Sequence, residues 1–347
     1  MPDHGGPDPA VRAITSPEGR RTTRSHRPDE VRDTGHACGY RAGMRLRLGR
    51  PDINRYADRF DLTPATDGLA VTFLGVASLL LDDGSSAIMT DGFFTRPGLP
   101  RVLLGRICPD PDRIDAALSM AAVTRLDAVI PVHTHFDHAL DSAAVAERTG
   151  GLLVGGESTA SIGRGHGLQA DRIAVVADGA GLRLGGFEVA MVASHHCPPD
   201  RFPGEITEPL VPPTRVSAYR CGEAWSIVVG HPASGRSLLV QGSAGYMPGA
   251  LAGRRADVAY LGVGQLGIQP EQYIEDYWRE TVREVGARRA VLIHWDDFSR
   301  PLSEPLRALP YAGDDLDRTM TVLTRLAEAD GVALSFPTVF ARENPWA

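Results

Sequence analysis

Six residues, His133-Thr-His-Phe-Asp-His138, constrain this chain more than any other stretch. They hold three of its eleven histidines together with a carboxylate, and they follow the apolar run Leu126-Asp-Ala-Val-Ile-Pro-Val132. Val129, Ile130 and Val132 are β-branched, so a buried strand is predicted over 126–132. A strand end is a rigid anchor, and the loop after it is free to curl. His133 and His135 are two apart, so in an extended segment they point the same way and can share one ion. Asp137 and His138 fall where the chain must turn and can face a second ion. Imidazole and carboxylate at this density suit zinc, iron or manganese better than magnesium or calcium. A polar loop with satisfied histidines at a helix start would account for a lone histidine, but not for this pattern.

Two other predicted strand ends carry the same residue types. The strand over 187–192 runs into Ser194-His-His-Cys-Pro198, and the strand over 290–293 delivers His294-Trp-Asp-Asp297. Alone, each would be read as a core or surface histidine. Beside the first motif, the metal reading is preferred for His294 and for one of His195 and His196. Asp91 ends the run 87–90. It is either a turn residue or a carboxylate that orients a metal-bound histidine.

The remaining elements are coarser. Runs at 70–74, 78–81 and 87–90, with a turn at Asp82-Asp-Gly84, predict a meander. Helices are predicted over 112–122 with Asp110 or Asp112 as cap, over 142–148, over 270–285 and over 314–329. Strands are predicted at 152–154, 173–176, 182–184 and 256–263, with a hairpin across 225–241. Residues 198–215 read as a long proline-rich loop of the kind that covers active sites. Gly262-Val-Gly-Gln-Leu-Gly267 has dinucleotide-binding spacing but no charge partner, and is read as a tight turn. His166 and His231 are expected to face solvent.

Residues 1–43 are rich in Pro, Gly, Arg, Asp and Thr and nearly empty of large apolar side chains. A disordered extension is expected there, with Met44 as an alternative start and 44–347 as one domain. A net charge of −7 and a pI of about 5.9 argue against a nucleic-acid binder held by phosphate contacts. No apolar run approaches a membrane span. Four scattered cysteines without Cys-x-x-Cys favour a reducing compartment, hence the cytoplasm. The apolar helices suit a monomer and a homo-oligomer equally.

From about 69 to 298 the sequence resembles the metallo-β-lactamase fold superfamily. Its nearest likeness is to the branch of ascorbate-6-phosphate lactonase and N-acylphosphatidylethanolamine phospholipase D. The resemblance is carried by Phe73-Leu-Gly-Val-Ala-Ser-Leu79, Thr90-Asp91, His133-x-His-x-Asp-His138, Ser194-x-His196-x-Pro198 and His294-Trp-Asp. It implies an α+β fold, a four-layered αββα sandwich with metals at one edge. It also implies that His133, His135 and His196 hold one ion, and Asp137, His138 and His294 the other. One or two zinc ions are expected, with manganese or iron as substitutes. Each ion would keep an open position, as catalytic zinc does. Where the family has Gly-Asp-Thr-Gly with a metal-bridging aspartate, this chain has Gly242-Ser-Ala-Gly245, and Ser243 is a poor substitute. Asp296 or Asp297, close in sequence to His294, is a candidate to compensate. Asp91, His195, Ser243, Tyr246 and Asp296 are candidates for supporting or substrate contacts.

The implied activity is that of a metal-dependent hydrolase. A metal-activated hydroxide, oriented by Asp137, would attack an ester, lactone, amide or phosphodiester of a small-molecule or lipid-like substrate. Two alternatives remain from other classes. One is an iron-dependent redox enzyme on the same fold, suggested by Cys197 beside His196. The other is a non-catalytic binding protein, suggested by Ser243.

Overall fold

Fourteen strands, β1 to β14, form two seven-stranded sheets in a computed structural model that describes residues 47–60 and 63–347. The expected disordered extension over 1–43 and the alternative start at Met44 lie outside the described residues. The first sheet contains β1 (Ala70–Phe73), β2 (Leu79–Asp82), β3 (Ala87–Thr90), β4 (Ala128–Ile130), β5 (Leu152–Gly155), β6 (Ile173–Val175) and β14 (Arg342–Glu343), in the order β14-β1-β2-β3-β4-β5-β6. The second contains β7 (Gly181–Leu184), β8 (Phe187–Ser194), β9 (Ala224–His231), β10 (Arg236–Gln241), β11 (Val258–Gly262), β12 (Arg289–Ile293) and β13 (Ala333–Ser335), in the order β13-β12-β11-β10-β9-β8-β7. Each sheet begins as an antiparallel meander and continues in parallel.

Alternation along the strands sorts side chains into layers. Leu238 and Val240 of β10 pack with Ile130, Leu79 and Phe73 of the opposite sheet, while Leu239 between them packs with Ile274, Trp278 and Leu323 of the outer helices. In β4, Ala128 and Ile130 face the other sheet, and Val129 packs with Ile114 and Ala143. The layers are therefore helix, sheet, sheet and helix, an α+β sandwich of the metallo-β-lactamase type. Burying one Val, Leu or Ile here contributes about 1.5–3 kcal/mol.

Four helices, over 111–120, 142–149, 271–278 and 316–330, fall close to their sequence signals, whereas those over 99–104, 136–139 and 157–166 were not predicted. Helix α1 (Leu99–Leu104) is short, and α2 (Pro111–Met120) is capped by Asp110, whose side chain accepts from Arg113 N. A single turn, α3 (Phe136–Ala139), precedes α4 (Ser142–Thr149), and α5 (Glu157–His166) follows β5. Helix α6 (Glu271–Trp278) passes into a π-helical turn at Arg279–Arg283, so the expected single helix over 270–285 changes its hydrogen-bonding midway. Helix α7 (Leu316–Asp330) is capped by Asp315.

Two expectations need correction. The strand predicted over 126–132 stops at Ile130, because Pro131 has no N–H to continue the ladder. His231 is buried rather than solvent-facing: its ring packs beside Phe187, Nδ1 lies 2.9 Å from Ser234 Oγ, and Nε2 lies 3.5 Å from Asp83. Among the described residues, no helix is long and apolar enough to cross a membrane.

Candidate metal centre

The loops after β3, β4, β8, β10 and β12 meet at one edge of the sandwich. After β4 the chain runs through Pro131 to His133. His135 then caps α3, so Asp137 and His138 project from that helical turn. The result is two adjoining sets of ligand atoms. His133, His135 and His196 lie within 4.8 Å of one another, as do Asp137, His138 and His294. His133 Nε2 is 3.1 Å from His135 Nδ1, and Asp137 Oδ2 is 3.4 Å from His294 Nε2 and 3.7 Å from His138 Nε2. Asp137 and His196 are partly exposed, so the edge opens to solvent.

Charge and burial hold His133, His135 and His196 toward the neutral form and Asp137 toward the ionised form, the forms that donate lone pairs. Burial, and then the charges of His138, His135 and His196, hold His133 well below its ordinary pKa. Burial lowers His135 as well, and His196 falls to about 4 through burial and the charge of His135. Burial alone would raise Asp137, but His138 and His294 outweigh it and hold the carboxyl below the usual range. Burial likewise opposes the charged form of His138, yet Asp91 and Asp137 prevail and raise it.

The residues fit a metal. His138 Nε2 is fully buried with no hydrogen-bond partner among the described residues. Its other nitrogen, Nδ1, is 2.7 Å from Asp91 Oδ2, so an N–H there donates to the carboxylate and the bare Nε2 faces Asp137 and His294. Each set supplies the three borderline ligands expected at an open zinc-type site.

Asp91 is therefore more than a turn residue. It is fully buried, and its Oδ1 accepts from Val132 N at 2.9 Å, tying the loop after β4 to the end of β3. Ser243 is bonded to the segment that carries His196. Its hydroxyl accepts from Cys197 N at 2.9 Å and so fixes that segment. Gly245 lies against the His195 carbonyl, where a Cβ would collide. The His195 side chain is exposed and belongs to neither set. Tyr246 packs against Tyr273 of α6 with ring centroids 5.2 Å apart. Cys197 is a free, buried thiol whose pKa burial pushes up to about 12.

Asp296 is also committed elsewhere, and it does not take the place of a bridging carboxylate. It pairs with Arg96, and both side chains are fully buried. Its Oδ1 accepts from Val76 N at 2.9 Å, while the Val76 carbonyl accepts from His294 N at 2.7 Å. Gly75 is required beside them, because a Cβ there would collide with the Arg96 guanidinium. Val76, Asp91, Arg96 and His294 all have positive φ, of 53, 54, 41 and 57°. Side chains avoid that region at a cost of about 1–3 kcal/mol each, and such residues cluster at functional sites.

Sequence reasoning missed Asp200 and Cys221. With His135 they form a third group within 4.8 Å. Asp200 lies in the proline-rich loop, and no spacing relates it to His135.

No family model matches the chain. Over 107 residues the sequence is 32% identical to a UPF0173 metal-dependent hydrolase of Heliobacterium modesticaldum (strain ATCC 51547 / Ice1), a match that covers 31% of this chain and 38% of that relative's length. The structure is similar to Igni18, a novel metallo hydrolase of Ignicoccus hospitalis KIN4/I, with a TM-score of 0.50 and 16% identity, covering 79% of this chain and 96% of that one. It is also similar to a possible metal-dependent hydrolase of Veillonella parvula DSM 2008, with a TM-score of 0.51 and 14% identity, covering 80% and 99%. At these identities the likeness establishes the fold.

Proposed function

We propose that the protein is a metal-dependent hydrolase that acts on an ester, lactone, amide or phosphodiester bond of a small-molecule or lipid-like substrate. The observation that carries this is the pair of adjoining three-ligand sets at an open edge of the sandwich. The Heliobacterium metal-dependent hydrolase and the two similar structures, a metallo hydrolase and a possible metal-dependent hydrolase, agree with it. So does the resemblance of the motifs to the lactonase and phospholipase D branch.

His133, His135 and His196 would hold one ion, and Asp137, His138 and His294 a second; zinc suits both sets. A bound zinc ion lowers the pKa of its water and polarises the bond under attack. Asp137, ionised and at the junction of the sets, is placed to orient the attacking water as well as to ligate. With Ser243 held by Cys197 N, no protein carboxylate bridges the sets from that side, so the second ion would be held more weakly. The net charge of −7 disfavours polyanionic nucleic acid as substrate. The buried, protonated Cys197 gives no support to a redox role, and the unpaired Cys108, Cys197 and Cys221 fit a cytoplasmic protein.

The test is elemental analysis beside a hydrolysis screen on ester, lactone, amide and phosphodiester substrates. One or two zinc ions per chain, lost together with hydrolysis in a His133→Ala/His135→Ala variant, is the expected result. A reconstituted protein that binds no divalent metal would sink the proposal. Iron with oxygen-dependent turnover would replace it with the redox enzyme, and bound metal without turnover would favour a binding protein.

A further inference from the structure

His135 has a second face that the ligand sets leave unused. Its Nδ1 lies toward His133, but its Nε2 points into the 198–215 loop. There Asp200 Oδ1 is 3.2 Å away and the Phe202 carbonyl 3.4 Å away. The Phe202 carbonyl accepts a hydrogen bond from the ring, and the Asp200 carboxylate sets a negative charge beside the same nitrogen. The ring therefore keeps its hydrogen on Nε2 and turns the bare lone pair of Nδ1 toward the three-histidine set.

The loop is built to hold these acceptors in place. Phe202 N donates to Asp200 Oδ1 at 3.0 Å, and Cys221 N donates to the Phe202 carbonyl at 2.8 Å. Thr134, the residue before His135, donates its hydroxyl to the Arg220 carbonyl at 2.6 Å, and its N–H donates to the Cys221 carbonyl at 2.9 Å. The ring and its acceptors are thus fixed to one framework.

We propose that Asp200 is a positioning residue: together with the Phe202 carbonyl it fixes His135 as the Nε2–H tautomer, and the 198–215 loop thereby sets the divalent-metal affinity of the His133–His135–His196 site. This rests on the metal-binding reading above. An outer partner of this kind typically changes metal affinity by about 10–100-fold. The Phe202 carbonyl remains when Asp200 is removed, so the lower end of that range is expected.

The experiment measures zinc affinity by chelator competition for wild type, Asp200→Ala and Asp200→Asn, together with long-range proton–nitrogen NMR spectra of the metal-free histidine rings. Asp200→Ala should bind zinc about tenfold more weakly, with its His135 ring populating the Nδ1–H tautomer measurably more than wild type and its melting temperature close to wild type. Asp200→Asn keeps an acceptor oxygen without the charge and should lie between the two. Unchanged affinity and an unchanged ring in Asp200→Ala would overturn the proposal while leaving the metal site standing. Weaker binding with an unchanged tautomer and a lower melting temperature would make the residue merely structural and also overturn it. A thiolate-to-cobalt charge-transfer band that disappears in Cys221→Ser would make Cys221 and Asp200 ligands and overturn it as well. A wild-type protein that binds no divalent metal would remove the metal-binding reading, and the proposal with it.

Discussion

Asp296→Ala is the substitution whose outcome the structure fixes most tightly. Asp296 and Arg96 are a fully buried ion pair, and Asp296 also accepts from the buried Val76 N–H. The guanidinium has little else among the described residues: Nη2 donates to the Asp297 carbonyl at 3.0 Å, while Nε and Nη1 have no partner there. Removing the carboxylate therefore strands a positive charge away from water. Breaking a buried pair in this way costs about 3–5 kcal/mol, far more than losing an exposed, solvent-screened pair such as Arg325–Glu271. In a chain of this size 1 kcal/mol shifts the melting temperature by roughly 2–4 °C, so a drop on the order of 10 °C is expected. Calorimetry, or circular dichroism on heating, reads it. Arg96→Met/Asp296→Leu removes both charges together and should melt above the single variant. A single variant that melts within a degree or two of wild type would show that the pair is solvated and the reasoning wrong.

Asp91→Ala should weaken zinc binding at the Asp137–His138–His294 set by about 10–100-fold, because His138 loses the carboxylate that holds its tautomer; isothermal titration reads it, and unchanged affinity would count against the assignment. Removing metal with a chelator should lower the melting temperature, since an ion bound only by the folded chain stabilises it; an identical melt with and without chelator would contradict a structural link. Glu343 is buried, and burial, opposed by Arg289, raises its pKa to about 7. The folded form keeps its proton where the unfolded chain has lost it. The stability from this group is therefore fully present below the ordinary glutamate pKa and is lost as pH rises through about 7. Glu343→Gln should melt like wild type near pH 4 and above it near pH 8, a gap of up to about 3 kcal/mol; parallel melting profiles across that range would refute the shift.

What the sequence disclosed follows from the range over which each feature is determined. The strands were legible because β-branched alternation is local, and so were the ligand types, because His133, His135, Asp137 and His138 fall within one turn of chain. Helix α5 was not. Ser158, Thr159, Ala160, Ser161 and Gly163 are buried by virtue of being small, so no apolar stripe marks it. Its first N–H groups are met by Glu223, far along the chain, which accepts from Glu157 N at 2.8 Å and Ser158 N at 3.2 Å. Asp296 shows the opposite difficulty. Proximity to His294 in sequence suggested a shared site, but its side chain is directed at Arg96, a partner that no local pattern reveals. Asp200 and Ser243 likewise take their roles from segments distant in sequence.

The ligand sets draw on both halves of the chain. His133, His135, Asp137 and His138 follow a strand of the first sheet, whereas His196 and His294 follow strands of the second. Each set takes one member from across the sandwich, so neither sheet alone can complete a site. A metal held there would act as a clasp between two independently knitted halves, strongest only once they have closed. Affinity for the ion would then report how well the sheets are seated, and a core substitution far from the edge, in the layer between them, would be felt as a looser grip on the metal before any ligand had changed.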